Sequence, residues 1–212
     1  MAQPERSRDD DRGGLGMNSA ILIPLVVGYL LGSIPFGLLL TRLAGKGDIR
    51  NLGSGNIGAT NVLRTGSKGL AALTLILDVA KGALAVWLAQ HYWPAGAHAA
   101  AGGALVGHLY PPWLKFRGGK GVATLLGVLI ALLPIAAMVY AVLWIGLLLL
   151  ARISSVAGIS AAASAPLTAV ALGRFDLLPL LGGLAVLVIY RHHENIRRLA
   201  TGEEPRIGRS AE

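Results

Sequence analysis

Cysteine is missing from all 212 residues. That excludes disulfides, thiolate metal sites and thiol nucleophiles, and it leaves the redox compartment open. Charge is also scarce, at 14% of residues against 54% hydrophobic, and mean hydropathy is +0.61, far too apolar for one soluble domain of this size. The chain belongs in a bilayer. Carboxylates are the rarest resource: 11 Asp and Glu stand against 19 Lys and Arg. Apart from Asp48, Glu194, Glu203 and Glu204, the polar loops carry none. There is no His-Glu-x-x-His, no aspartate pair in those loops and no Gly-x-Ser-x-Gly, which argues against a metal site and against an esterase elbow. The net charge of +8 would suggest nucleic acid in a soluble chain. Here the basic residues sit between apolar runs and read as topology signals, so no nucleic-acid partner is expected.

Residues 1–16 are polar, with Arg6, Arg8 and Arg12 against Glu5, Asp9, Asp10 and Asp11, and read as a disordered tail ahead of a single membrane domain over 17–212. Apolar runs occupy 21–40, 70–89, 95–109, 122–151, 156–172 and 177–190, the pattern of an all-α polytopic membrane helix bundle. The fourth run would make a helix of about 45 Å against a hydrocarbon core of about 30 Å. It is therefore one strongly tilted helix or two short ones broken near Pro134. Charge decides between them. The stretch 42–68 holds Arg42, Lys46, Arg50, Arg64 and Lys68 against Asp48, and 115–120 adds Lys115, Arg117 and Lys120. Two crossings within 122–151 put these loops, Arg152 and the Arg191, Arg197, Arg198 cluster on one side. The expectation is seven spans, N-terminus out and C-terminus in.

Three polar segments carry chemistry. The first, 51–66, offers Ser54, Asn56, Asn61 and Arg64 among glycines and holds no carboxylate, a composition suited to an oxyanion. The second, 107–124, contains His108 and ends in Gly118, Gly119, Lys120 and Gly121 opening a helix toward Thr124, an anion site at a helix N-terminus. It is not a Walker A loop, because glycine follows Lys120. The third, 191–204, holds His192 and Asn195, which share a face if the last helix continues. Asp78 and Lys81 share a face inside a span and read first as a mutually neutralising ion pair, with a direct substrate role as the alternative. The small residues of 157–165 read as a close-packing stripe.

Taken in order and at this spacing, the motifs from Ser54, Gly55 and Asn56 to Arg64, from Gly107 and His108 to Thr124, and from Arg191 and His192 to Glu203 resemble the bacterial acyl-phosphate:glycerol-3-phosphate acyltransferase family called PlsY. The resemblance covers about residues 28–208 and includes Asp78, Lys81, Gly82 and Ser155. It implies seven helices in the bacterial inner membrane with the active site on the cytoplasmic face. It also implies transfer of a fatty acyl group from acyl phosphate to the 1-hydroxyl of glycerol 3-phosphate, giving lysophosphatidic acid and phosphate, the first step of phospholipid synthesis. On that basis His192, Asn195, Ser155 and Lys120 surround the reacting centre. Ser54, Asn56, Asn61, Arg64, Gly118, Gly119, Gly121, Thr124 and Glu203 bind the substrates and their phosphates, the 118–121 glycines through backbone N–H groups. No metal or cofactor is expected. The chain is expected to act as a monomer served by an enzyme that forms acyl phosphate. No histidine is followed by Asp in a His-x-x-x-x-Asp pairing, the mark of acyltransferases that use thioester donors. The competing reading is a small transporter or flippase for phosphorylated lipid precursors, disfavoured because the motifs cluster in loops on one face and no internal repeat is evident.

Overall fold

The computed structural model describes the backbone of residues 9–207 and side chains from Ser19. Ten α-helices follow one another, with no strand among the described residues: α1 (Asp9–Gly32), α2 (Phe36–Leu43), α3 (Ala59–Val62), α4 (Lys68–Tyr92), α5 (Ala97–Leu109), α6 (Val122–Leu132), α7 (Pro134–Ala151), α8 (Ser154–Ala171), α9 (Leu178–Arg191) and α10 (His193–Ala200). Of the expected polar tail, residues 1–8 lie outside the described residues, and the helix begins at Asp9, well before the apolar run. By length and composition four helices are membrane spans, Ser19–Leu43, Lys68–Tyr92, Pro134–Ala151 and Ser154–Ala171. Phe175–Arg191 passes the same test only when joined to His193–Ala200 across a bend of 58°. That is fewer than the seven expected, because α5 and α6 have only 13 and 11 residues.

The 122–151 run does break. Leu133 leaves helical geometry at φ −153° and ψ 78°, and Pro134 opens α7. Proline disfavours the helical region for the residue before it and suits the first helical position, where its missing N–H costs nothing.

Small residues set the spacing of the bundle. Gly28 and Gly32 of α1 lie against the Ala100 and Ala104 carbonyls of α5, and Gly103 and Gly107 of α5 lie against those of Leu25 and Tyr29. Any side chain at these four positions would meet main chain, the close-approach logic of small residues spaced four apart in membranes. On α8, Ala157, Ala161, Ala162, Ala165 and Ala169 are fully buried, which lets α7 and α9 lie close to it.

The short α6 positions the site. Gly82 of α4 meets the Thr124 carbonyl, and Gln90 further along reaches the Ala131 carbonyl, so the two helices run parallel. Fourteen residues of α4 precede Gly82, about 21 Å of helix, whereas only about 6 Å of α6 precedes the level it faces. The first turn of α6, and the glycine turn before it, thus begin about 15 Å short of the Lys68 end. A recess opens above them.

The Asp78–Lys81 pair sits beside this recess. Lys81 Nζ is 2.7 Å from Asp78 Oδ1 and donates to the Ile34 carbonyl at 2.9 Å, in the break between α1 and α2. A broken helix frees carbonyls that lipid cannot satisfy, and the buried lysine supplies the donor.

Candidate active site

The first polar loop is folded by its own amides and glycines. Asp48 accepts from the Arg50 amide at 3.0 Å and pairs with Arg50 and Arg42, which hold its carboxyl well below the usual carboxylate range. The only acid of the 42–68 stretch is thereby spent, and Arg64 has no carboxylate partner among the described residues. Gly53 takes φ +51° with the Arg64 side chain lying against it, so a Cβ there would displace the guanidinium. Asn61 uses its amide nitrogen to bond the Ile49 and Asn56 carbonyls at 2.7 and 2.8 Å. This corrects one expectation: Asn61 builds the loop and has no N–H left for a phosphate oxygen.

In the second loop the Gly118 and Gly119 amides donate to the Leu109 and His108 carbonyls, each at 3.0 Å. Their N–H groups satisfy the carbonyls that the end of α5 leaves free, and Arg191 bonds their own carbonyls at 3.3 and 3.4 Å. Neither glycine can therefore offer the anion-binding N–H expected of it. The free donors lie one step on. Gly121 caps α6 at φ +84°, and the first-turn N–H groups of Val122, Ala123 and Thr124 have no intrahelical acceptor. The Thr124 side chain is buried behind the wall, and its carbonyl faces Gly82. Lys120 Nζ donates to Asn195 Oδ1, and burial lowers its pKa to about 8.

The third segment does not continue the last helix, the condition under which His192 and Asn195 would share a helical face. α9 ends at Arg191, His192 adopts φ −96° and ψ 9°, and α10 leaves at 58°. His192 Nδ1 lies 2.7 Å from the Val188 carbonyl. Since a carbonyl only accepts, Nδ1 carries the proton and Nε2 keeps its lone pair. Burial lowers the His192 pKa to about 4, so the ring is neutral at physiological pH. The bend turns His192 and Asn195, both nearly fully buried, onto the same cavity wall.

The loops converge on one cavity of about 790 Å³. Of the residues singled out from the sequence, Ser54, Asn56, Asn61, Arg64, Lys120, Gly121, Ser155, His192 and Asn195 line it, while Gly118, Gly119 and Thr124 stand behind it. Glu203 is misplaced: it is exposed, and its carboxylate accepts from Thr201 Oγ1 at 3.0 Å. Its neighbour Glu204 holds the site instead. It accepts from Ser155 Oγ at 2.6 Å, from Asn195 Nδ2 at 2.5 Å and from Arg198 Nε at 2.7 Å. Hydrogen bonds from these groups keep the Glu204 pKa below its ordinary value despite burial. Gly202 at φ +76° turns the chain after α10, and the Ile207 amide fastens it to the Arg152 carbonyl at 2.7 Å. Glu204→Gln should lower kcat/KM roughly 10-fold, the worth of one charge-assisted bond, and Glu203→Gln should leave it unchanged. Steady-state rates that rank the two variants the other way would restore Glu203.

The cavity has two characters. Leu75 of α4 and Trp144 of α7 add an apolar lining to the cations and amides. Among the described residues no three His, Cys, Asp or Glu side chains gather as a metal site.

A family model described as glycerol-3-phosphate acyltransferase matches residues 22–202. The chain is 56% identical over 186 residues to a glycerol-3-phosphate acyltransferase of Erythrobacter litoralis, covering 88% of this chain and 94% of that one. It is 53% identical over 192 residues to that of Mesorhizobium japonicum, covering 91% and 98%. Its fold is similar to the crystal structure of PlsY, an integral membrane glycerol 3-phosphate acyltransferase, in its glycerol 3-phosphate form: the TM-score is 0.84 at 41% identity, over 90% of this chain and 96% of that one. The lysophosphatidic acid form gives a TM-score of 0.82 at 40% identity.

Proposed function

This chain belongs to the glycerol-3-phosphate acyltransferase family and is an acyltransferase of bacterial phospholipid synthesis, and on that premise we propose how its cavity divides the work. The transporter reading falls with the family. The donor is a fatty acyl phosphate. Its chain enters from the bilayer over the short α6, along Leu75 and Trp144, and its phosphate rests against Lys120 and the free N–H groups of the α6 first turn. Glycerol 3-phosphate places its phosphate against Arg64, Ser54 and Asn56, with its 1-hydroxyl toward His192. The observation that carries this reading is that Arg64 and Lys120, from two different loops, line one cavity together with the apolar Leu75 and Trp144.

The chemistry is ester formation from an activated anhydride. The 1-hydroxyl oxygen attacks the acyl carbonyl, the new C–O ester bond forms, and the C–O bond to phosphate breaks with its electron pair leaving on phosphate. Asn195, which gives one N–H to Glu204 and keeps a second, stands at the carbonyl, Ser155 spends its one O–H on fixing Glu204, and Lys120 offsets charge on the departing phosphate. A histidine with a pKa of about 4 is a weak base. Phosphate, with a second pKa of about 6, is the better acceptor. His192 therefore orients the hydroxyl through Nε2, and the departing phosphate takes the proton. The experiment is turnover of purified protein with fatty acyl phosphate and glycerol 3-phosphate, releasing one phosphate per lysophosphatidate.

The reading includes a topology. The residues 17–212 form one domain that crosses the inner membrane seven times, once as Ser19–Leu43 and once with each helix from α4 to α9, with the N-terminus outside. The basic bias supports it, because residues 42–68, 115–120, Arg152 and 191–198 then share the cytoplasmic face. The protein acts as a monomer and takes its donor from an enzyme that forms acyl phosphate. Arg197 is exposed on α10, and the native chain has no cysteine, so Arg197→Cys reports its side alone. An impermeant maleimide should modify it only after cells are permeabilised; modification in intact cells would refute the seven-span arrangement.

A further inference from the structure

We infer that His108 is a positioning residue for Lys120: its imidazole, seated on Gly119 and backed by the buried Asp78–Lys81 pair, sets the 118–121 turn that aims Lys120 into the cavity. The ring covers Gly119 so closely that a Cβ built there would lie 2.8 Å from its Cε1 and 3.0 Å from its Cδ2. The same residue takes the Gly119 N–H on its carbonyl at 3.0 Å, so main chain and side chain hold one glycine between them. Behind the ring, Nδ1 lies 3.7 Å from Asp78 Oδ1. Asp78 is fixed by Lys81, and Lys81 by the Ile34 carbonyl. A chain of contacts thus runs from the α1–α2 break through α4 to the turn, and the next residue along is Lys120, which bonds Asn195 across the cavity.

A helix-end histidine with no further task would bond its own helix or face water. His108 is 4% exposed, and its Nδ1 has no hydrogen-bond partner among the described residues. An unpaired buried polar atom costs free energy, a cost that an apolar residue of the same volume in place of His108 would remove. Asp78 and His108 both reach the cavity wall. What this arrangement gives in return is a rigid seat for a turn of three glycines and one lysine, which could otherwise flex.

The inference rests on the proposed role of Lys120 at the donor phosphate. The test is kcat and KM for wild type, His108→Ala, Lys120→Met and the double variant, with the melting temperature of each in detergent. A misplacement of about 1 Å costs up to about 100-fold, so H108A should lower kcat about 10- to 100-fold with KM for glycerol 3-phosphate within about twofold. In the K120M background the same change should cost less than about threefold, because the two residues act as a unit. Loss in K120M with normal turnover in H108A overturns this inference alone, as does an H108A loss of equal size in both backgrounds. Normal turnover in K120M overturns the reading of Lys120 and this inference with it. If H108A is not recovered folded, Gly119→Ala reads the same contact from the turn. G119A should lose a similar factor, and adding the shorter side chain of His108→Asn should restore at least about threefold of it. A G119A enzyme with normal kcat, or one that H108N does not restore, overturns the inference.

Discussion

His192→Ala should lower kcat roughly 100-fold while the protein remains folded and still binds glycerol 3-phosphate through Arg64. The ring is held at one nitrogen by the Val188 carbonyl and presents the other, unprotonated, to the cavity. Its loss removes orientation of the attacking hydroxyl, an effect on kcat more than on KM. The pH profile separates this role from that of a strong base. With a pKa of about 4, His192 is neutral above that pH, so a decline through about 6 belongs to the phosphate that takes the proton and should persist in H192A, while the limb that His192 itself sets lies at about 4. That acid limb should disappear in H192A. A limb centred near 6.5 that disappears with His192 would mean that the histidine takes the proton itself.

Lys120→Met should cost about 1.5 to 3 kcal/mol in transition-state stabilisation, or roughly 10 to 150-fold in kcat/KM, because a charge-assisted bond to the donor phosphate is lost. The alkaline limb belongs to the same residue. Burial depresses its folded pKa to about 8, so the cation is present below that value and is lost as pH rises through it. Wild-type activity should fall across about pH 8, and Lys120→Arg, which keeps its proton throughout, should move that limb upward while losing some activity through its different shape. An alkaline limb unmoved by K120R would assign it to another group.

Much of this architecture was legible because it follows from local rules. The proline at 134, the excess length of the 122–151 run and the basic loops on either side together demanded two helices, and α6 and α7 are those helices. The three polar segments were also legible, since lipid leaves little other reason for amides, glycines and cations in short loops. What could not be read was which group each donor serves. Gly118 and Gly119 look like free N–H groups in sequence, but two carbonyls at the end of α5 claim them, and only tertiary structure brings that end back to the turn. Asn61 is similar: its amide holds Ile49, twelve residues away. Glu203 and Glu204 differ by one residue beyond the end of α10, where helical periodicity no longer informs, and the turn at Gly202 decides which one faces inward. The bend at His192 was hidden as well, since nothing between Tyr190 and Ile196 breaks a helix by its chemistry. Trp144 and Leu75 read as ordinary apolar helix positions, and they matter only because α6 starts too low to cover them.

The central claim is that two phosphates are recognised by Arg64 and Lys120 in one cavity, so that the donor is an acyl phosphate. The most direct measurement is the initial rate of purified protein with glycerol 3-phosphate and, in turn, a fatty acyl phosphate and the matching acyl coenzyme A. Rapid formation of lysophosphatidic acid from acyl phosphate alone is the predicted result, and comparable turnover with acyl coenzyme A would contradict the account.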